Sequence, residues 1–164
     1  MRTNENALWS LGVHDLSVIL HLLDEDPELA TAQGSWSIHE GVQDVVFCFL
    51  RFPSGKIAHM HLSWLDPHKM RKMTLVGREK MVVFDDMEPD RKVTVYEKKA
   101  GPSGATVSGD IHILKISNAE PLRLECEYFL ELVDGRHDKA KVARDGARVV
   151  RALEMLTRSL DGDG

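Results

Sequence analysis

The chain has 164 residues, 43% hydrophobic and 29% charged, with a net charge of -5 and a pI near 5.9. These are the proportions of an ordinary globular domain, and the length suits one packed unit spanning 1–164. Acidic and basic residues are interspersed with no basic stripe, which argues against nucleic acid as a partner. The longest apolar run, VVFCFL, is too short to span a bilayer, and the polar MRTNEN start is no signal peptide, so a cytoplasmic chain with no membrane partner is expected.

The first element is a helix over 11–23, where Leu16, Ile19, Leu20 and Leu23 recur at three- and four-residue steps and DEDP then stops it. From there the period becomes two. Segments 29–38, 44–52, 56–65, 70–76, 80–85 and 92–98 read as strands, and PSGK and GRE read as hairpin turns. Strand 44–52 is apolar on both alternations, so both faces of the sheet want cover there. Residues 99–110 are small, polar and glycine-rich and read as an exposed loop. Glu120 to Val133 reads as a helix whose stripe is Leu122, Cys126, Phe129, Leu130 and Val133, with Gly135 as its stop; a last helix, capped by Asp145, carries Val149, Leu153, Leu156 and Leu160. Cys48 and Cys126 both read as core thiols, since no CxxC spacing is present. The pattern predicts an α+β domain: an open-faced, mixed or mostly antiparallel sheet of about six strands with helices on one face. Three helices leave one sheet face uncovered, a candidate homo-oligomer interface.

Within the first helix, Ser10, His14, Ser17 and His21 fall within about one quadrant at 100° per residue. Such a strip faces either solvent or a cleft. His14, read as near the helix start, has its neutral, base-competent form favoured there. GKIAHMHLSWLDPH offers a second constellation, His59, His61, Asp66 and His68, whose His-x-His pair places both rings on one strand face. A metal-binding reading is weighed against sheet histidines at a subunit interface, and the latter is preferred; no metal is expected. Trp64 and Met60 read as core, and Lys69, Arg71, Lys72, Arg78 and Lys80 as a solvated basic face. There is no GxGxxG, GxxxxGK[ST] or GxSxG.

The run ENALWSLGVHDLSVILHLLDEDP resembles the segment that opens the C-terminal domain of the Gfo/Idh/MocA oxidoreductases. The likeness continues through FPSGKIAHMHLSWLDPHKMRKMTLVGREKMVVFDDMEPDRKVTVYEK, EPLRLECEYFLELVDGR and RDGARVVRALEMLTRSL. The subgroup it looks most like is the sugar-nucleotide 3-dehydrogenases. The resemblance implies a fold like the glyceraldehyde-3-phosphate dehydrogenase C-terminal domain, working beside a Rossmann domain that holds NAD or NADP. It further implies a sugar or UDP-sugar substrate in the cleft between the domains. The family motif is an acidic residue followed four positions later by His; here the His is His14, the implied proton acceptor, and the acidic position holds Ser10. Arg2, Asn4, Asn6 and Ser10 are the implied substrate contacts, Arg being suited to a phosphate or carboxylate. The family's glycine-rich loop and Glu-Lys-Pro lysine belong to the part before this segment, so the chain alone is expected to bind no cofactor and to be inactive, as a piece of a longer enzyme or a truncated gene product. The alternative from another class is a stand-alone dimerisation or binding module whose histidine strip meets solvent; a small His-rich metal-dependent protein is the third reading.

Overall fold

The computed structural model describes residues 5–68, 70–100, 106–116 and 119–162. The chain divides into two compact units, 1–66 with 128–164, and 67–127.

The first unit is built on a three-stranded antiparallel sheet, β1 (Leu29–Ser35), β2 (Val45–Arg51) and β3 (Ile57–Ser63), in that order. The PSGK turn joins β2 to β3 with Gly55 at φ +82°, a left-handed conformation that suits glycine. Alternation sorts the sheet into two unlike faces. On the inner face, Ala30 and Ala32 of β1, Val46, Cys48 and Leu50 of β2, and Met60 and Leu62 of β3 are all buried. On the outer face, Leu29, Phe47, Phe49 and Ile57 remain exposed. Each row crosses the sheet in register, for example Ala32, Cys48 and Met60 inside and Gln33, Phe47 and His61 outside.

Two helices seal the inner face. α1 (Val13–Leu23) contributes Leu16, Ile19 and Leu20, and α3 (Lys139–Leu160) contributes Val149, Ala152, Leu153 and Leu156. Alanines on β1 let α3 approach closely, and Ser159 Oγ accepts the Ala32 amide at 3.0 Å, occupying an edge-strand donor. Asp24 ends α1 in the left-handed region at φ 51°, a conformation Asp tolerates better than most residues. The same loop holds Asp26, whose carboxylate takes the Arg148 Nε hydrogen at 2.6 Å and, first among several contacts, raises the Arg148 pKa. The cap of α3 is Asp138, not Asp145: its carboxylate accepts the Ala140 amide at 2.9 Å, while Asp145 lies within the helix and pairs with Lys141. The helix therefore starts nearly two turns earlier than the apolar repeat indicates, because its first turns are polar and exposed.

The second unit carries a four-stranded antiparallel sheet, β4 (Lys72–Val76), β5 (Lys80–Asp85), β6 (Val93–Ala100) and β7 (Thr106–Leu114), in sequential order. β4 and β5 are joined at Gly77, whose amide donates to the Lys80 carbonyl at 2.9 Å. The strands thus form two sheets rather than one, and β7 occupies half of the segment read as a loop. Its small polar start hid the alternation that Ile111 and Ile113 share with β6. α2 (Pro121–Val133) runs from the second unit into the first, with Gly135 at φ +79° just beyond it. Leu122, Phe129, Leu130 and Val133, expected as its packed stripe, are all exposed, and so is Cys126; only Cys48 is a core thiol. Burial, with the charge of Asp15 adding to it, pushes the Cys48 thiol up to about 12, which keeps it protonated and unreactive. No helix among the described residues is long and apolar enough to cross a membrane.

Candidate active site

The segment ahead of α1 is a π-helical turn, Leu8–Gly12, that runs directly into the α-helix. π-helical turns are rare and frequently mark functional sites, since the wider ring resets the direction of the side chains that follow. Here both ends are pinned. Leu8 and Gly12 are buried, and a Cβ on Gly12 would lie 3.0 Å from Leu62 Cδ1 and 3.1 Å from Leu8 Cδ1, so glycine allows the turn to sit close on β3.

Polar contacts fix the turn from outside. Asn6 Oδ1 accepts the Trp9 amide at 3.1 Å in the manner of an N-cap, and Asn6 Nδ2 donates to Gln43 Oε1 at 3.0 Å. The Ala7 amide donates to the Gln43 carbonyl at 2.8 Å. Trp9 Nε1 donates to Thr157 Oγ1 of α3 at 3.0 Å, and Trp64 Nε1 donates to Ser10 Oγ at 2.7 Å. The backbone of Trp64 is held in turn by the Asp44 carbonyl at 2.9 Å. Asp44 is 1% exposed. Its Oδ2 accepts the Ser37 and Ile38 amides at 2.8 and 3.1 Å, folding the loop between β1 and β2, and its Oδ1 has no partner among the described residues.

The predicted strip therefore divides. Ser10 is half-buried under Trp64, whereas His14, Ser17 and His21 are exposed along α1. The helical run opens at Leu8, so His14 stands past its first turn, and the helix-terminus field that weakens within one turn is not what it meets. His14 presents an exposed imidazole one step from Asp15, above a turn held on both sides by indole hydrogen bonds. Asn6 is engaged in the cap, and Arg2 and Asn4 lie outside the described residues. Trp64, Asp44 and Gln43 are the participants the sequence did not reveal. The available signal was chemical: an indole N–H at a half-buried position needs an acceptor, and an Asp just ahead of an apolar strand needs donors.

The other constellation lies apart from this turn. His59 and His61 point outward from β3, and the Phe47 ring stacks on His61 at 4.4 Å with 2° between planes, as expected of sheet histidines among exposed aromatics. Basic residues at and just before β4 and β5 pair locally, Arg71 with Asp86 at 3.7 Å, Lys72 with Asp85 at 3.4 Å and Lys80 with Glu97 at 3.4 Å; Lys69 lies outside the described residues.

An α+β domain with a pinned, histidine-bearing helix over one sheet face is the class that this geometry defines. The GFO/IDH/MocA C-terminal domain pattern matches residues 2–83, half of the chain, and the chain belongs to that family. None of the curated proteins matches it. Among solved structures it is similar to the UDP-N-acetylglucosamine 3-dehydrogenase of Acidithiobacillus ferrooxidans, with a TM-score of 0.77 and 17% identity over 96% of this chain and 48% of that one. It is also similar to an NAD binding oxidoreductase from Klebsiella pneumoniae (TM-score 0.73, 17% identity, 98% of this chain and 50% of that one). A third is the aldose-aldose oxidoreductase of Caulobacter crescentus (TM-score 0.71, 16% identity, 98% and 47%). At these identities the likeness establishes the fold. The chain spans about half the length of the structures it matches.

Proposed function

We propose that this chain forms the substrate-facing half of an NAD(P)-dependent oxidoreductase that oxidises a hydroxyl of a sugar or sugar nucleotide. The observation that supports this most is His14, an exposed imidazole on a helix whose entry turn is fixed by Trp9, Trp64 and Asn6, inside the segment matching the family. NAD(P), when bound, supplies the hydride acceptor. The described residues offer no glycine-rich strand-to-helix turn for its pyrophosphate, so in this reading a Rossmann domain outside this chain holds it. His14 takes the hydroxyl proton on a ring nitrogen as the adjacent C–H leaves as hydride, and the exposed position lets the imidazole pass that proton to water. Ser10 Oγ accepts the Trp64 indole hydrogen and can still donate its hydroxyl hydrogen to a substrate oxygen. Arg2, Asn4 and Asn6 complete the substrate contacts, Arg2 for a phosphate or carboxylate.

Both units act as one C-terminal domain in this reading, in the cytoplasm. Its outer β1–β3 face, with Phe47, Phe49 and Ile57 exposed, is the homo-oligomer contact. In the native gene product assembled with its nucleotide-binding domain, His14→Ala is expected to lower kcat by about 10²–10⁴-fold while leaving NAD(P)H affinity, measured by fluorescence titration, unchanged. Turnover at the wild-type level would remove His14 from the proton-transfer role.

A further inference from the structure

The second unit holds a group of potential ligands of its own. β6 and β7 pair at Val95↔His112 and Tyr96↔Ile111, slip, and resume at Lys98↔Ser108. Across the slip, two residues of β7, Gly109 and Asp110, oppose the single Glu97 of β6. Such bulges re-aim a side chain. Asp110 and His112, two residues apart, share one face of β7. Val95 pairs directly with His112 and stands two residues from Glu97, which puts Glu97 on that same face. Close approach depends on Gly109, because a Cβ there would stand 2.9 Å from Glu97 Cβ and 3.0 Å from the Glu97 carbonyl oxygen.

The result is one imidazole and two carboxylates whose potential ligand atoms all lie within 4.8 Å of one another, the one such group among the described residues. His112 Nε2 and Glu97 Oε1 are 3.6 Å apart. That is too long for a hydrogen bond. It is close to the edge of a tetrahedron, roughly 3.4 Å, that results when N and O ligands stand about 2.0–2.1 Å from zinc. The place already draws a cation: Lys80 Nζ stands 3.4 Å from the same Glu97 oxygen. Glu97 is the least exposed of the three, so the donor set is anchored from below and open above.

We propose that Glu97, Asp110 and His112 form a site for a divalent first-row transition ion of the zinc type, tying β6 to β7 at the bulge with water filling the open position. A nitrogen donor beside two carboxylates selects this class over calcium or magnesium, which take oxygen ligands. The ion and the Lys80 ammonium compete for Glu97.

The test is calorimetric titration of the untagged chain with zinc chloride, with circular dichroism confirming that each variant folds. The expected result is saturable binding of one equivalent, weakened at least tenfold in His112→Gln and in Asp110→Asn, and tightened severalfold in Lys80→Met. Binding should be retained when His59 and His61 are both changed to Gln. Absence of saturable binding, binding that survives His112→Gln, binding lost with His59 and His61, or an affinity indifferent to Lys80→Met would each overturn the assignment.

Discussion

The two units use the same material, antiparallel sheet and helix, to different ends. In the first, every inward position of β2 is closed over by α1 and α3, and Leu8, Leu16, Leu50, Phe52 and Leu156 have no measurable exposure. In the second, no described side chain is fully buried: Val82, Val83 and Val95 are half-buried and Ile111 is 62% exposed. Hydrophobic stabilisation scales with apolar area removed from water, so the first unit carries the stability and the second is a sheet that still has surface to cover. The candidate active site is built on the sealed unit, where a π-helical turn can be held against a rigid backing. The proposed metal site stands on the open one, where a cross-strand tie has most to add.

That contrast can be broken by paired substitutions. Leu50→Ala removes a fully buried side chain from the sealed core and is expected to cost about 2–5 kcal/mol, whereas Val82→Ala on the open sheet should cost less than about 1 kcal/mol. Native-state hydrogen exchange, read separately over β2 and β5, checks both; equal losses would show that the second sheet is as well covered as the first. Next in size is Asp44→Ala, which strips the Ser37 and Ile38 amides of their acceptor in a buried place and should cost about 1–3 kcal/mol in urea denaturation. Asp44→Asn, which keeps an acceptor oxygen, should recover most of it. Trp64→Phe keeps an aromatic ring and deletes the donor to Ser10. The expected loss is about 1 kcal/mol, with faster amide exchange confined to the Leu8–Gly12 turn; unchanged exchange there would mean that packing on β3 alone holds it.

The smallest effect is that of acid. Glu25 lies below the ordinary carboxylate value chiefly through its bond from Lys56, then through Ser54; Asp138 is lowered first by the Lys141 amide and also by that of Ala140. A carboxylate with a depressed folded-state pKa stabilises the fold above its unfolded value and loses that contribution as pH falls through the folded one. Each therefore adds a small stabilising contribution at neutral pH, which Glu25 loses as pH falls below about 4.5 and Asp138 as it falls below about 3.8, their ordinary values. In Glu25→Gln with Asp138→Asn, the fall in melting temperature over that range should become shallower; both groups are exposed, so the change is modest.

What could be read from the order of residues was whatever depends on short-range periodicity. The helix around Leu16, Ile19 and Leu20 and the two-faced strand Val45 to Leu50 were legible because burial imposes periods of 3.6 and 2. The hairpins at Gly55 and Gly77 were equally plain, and resemblance singled out His14. The sequence could not show that the strands separate into two sheets, since alternation says which face a side chain takes and nothing about which strand is its neighbour. Nor could it show that the residues before Val13 form a π-helical turn, because that ring is held by partners at positions 43, 64 and 157. The exposure of Leu122 and Phe129 escaped the periodicity as well: an apolar stripe records that a helix has something to bury, and only the tertiary structure shows whether this chain provides the surface to bury it against.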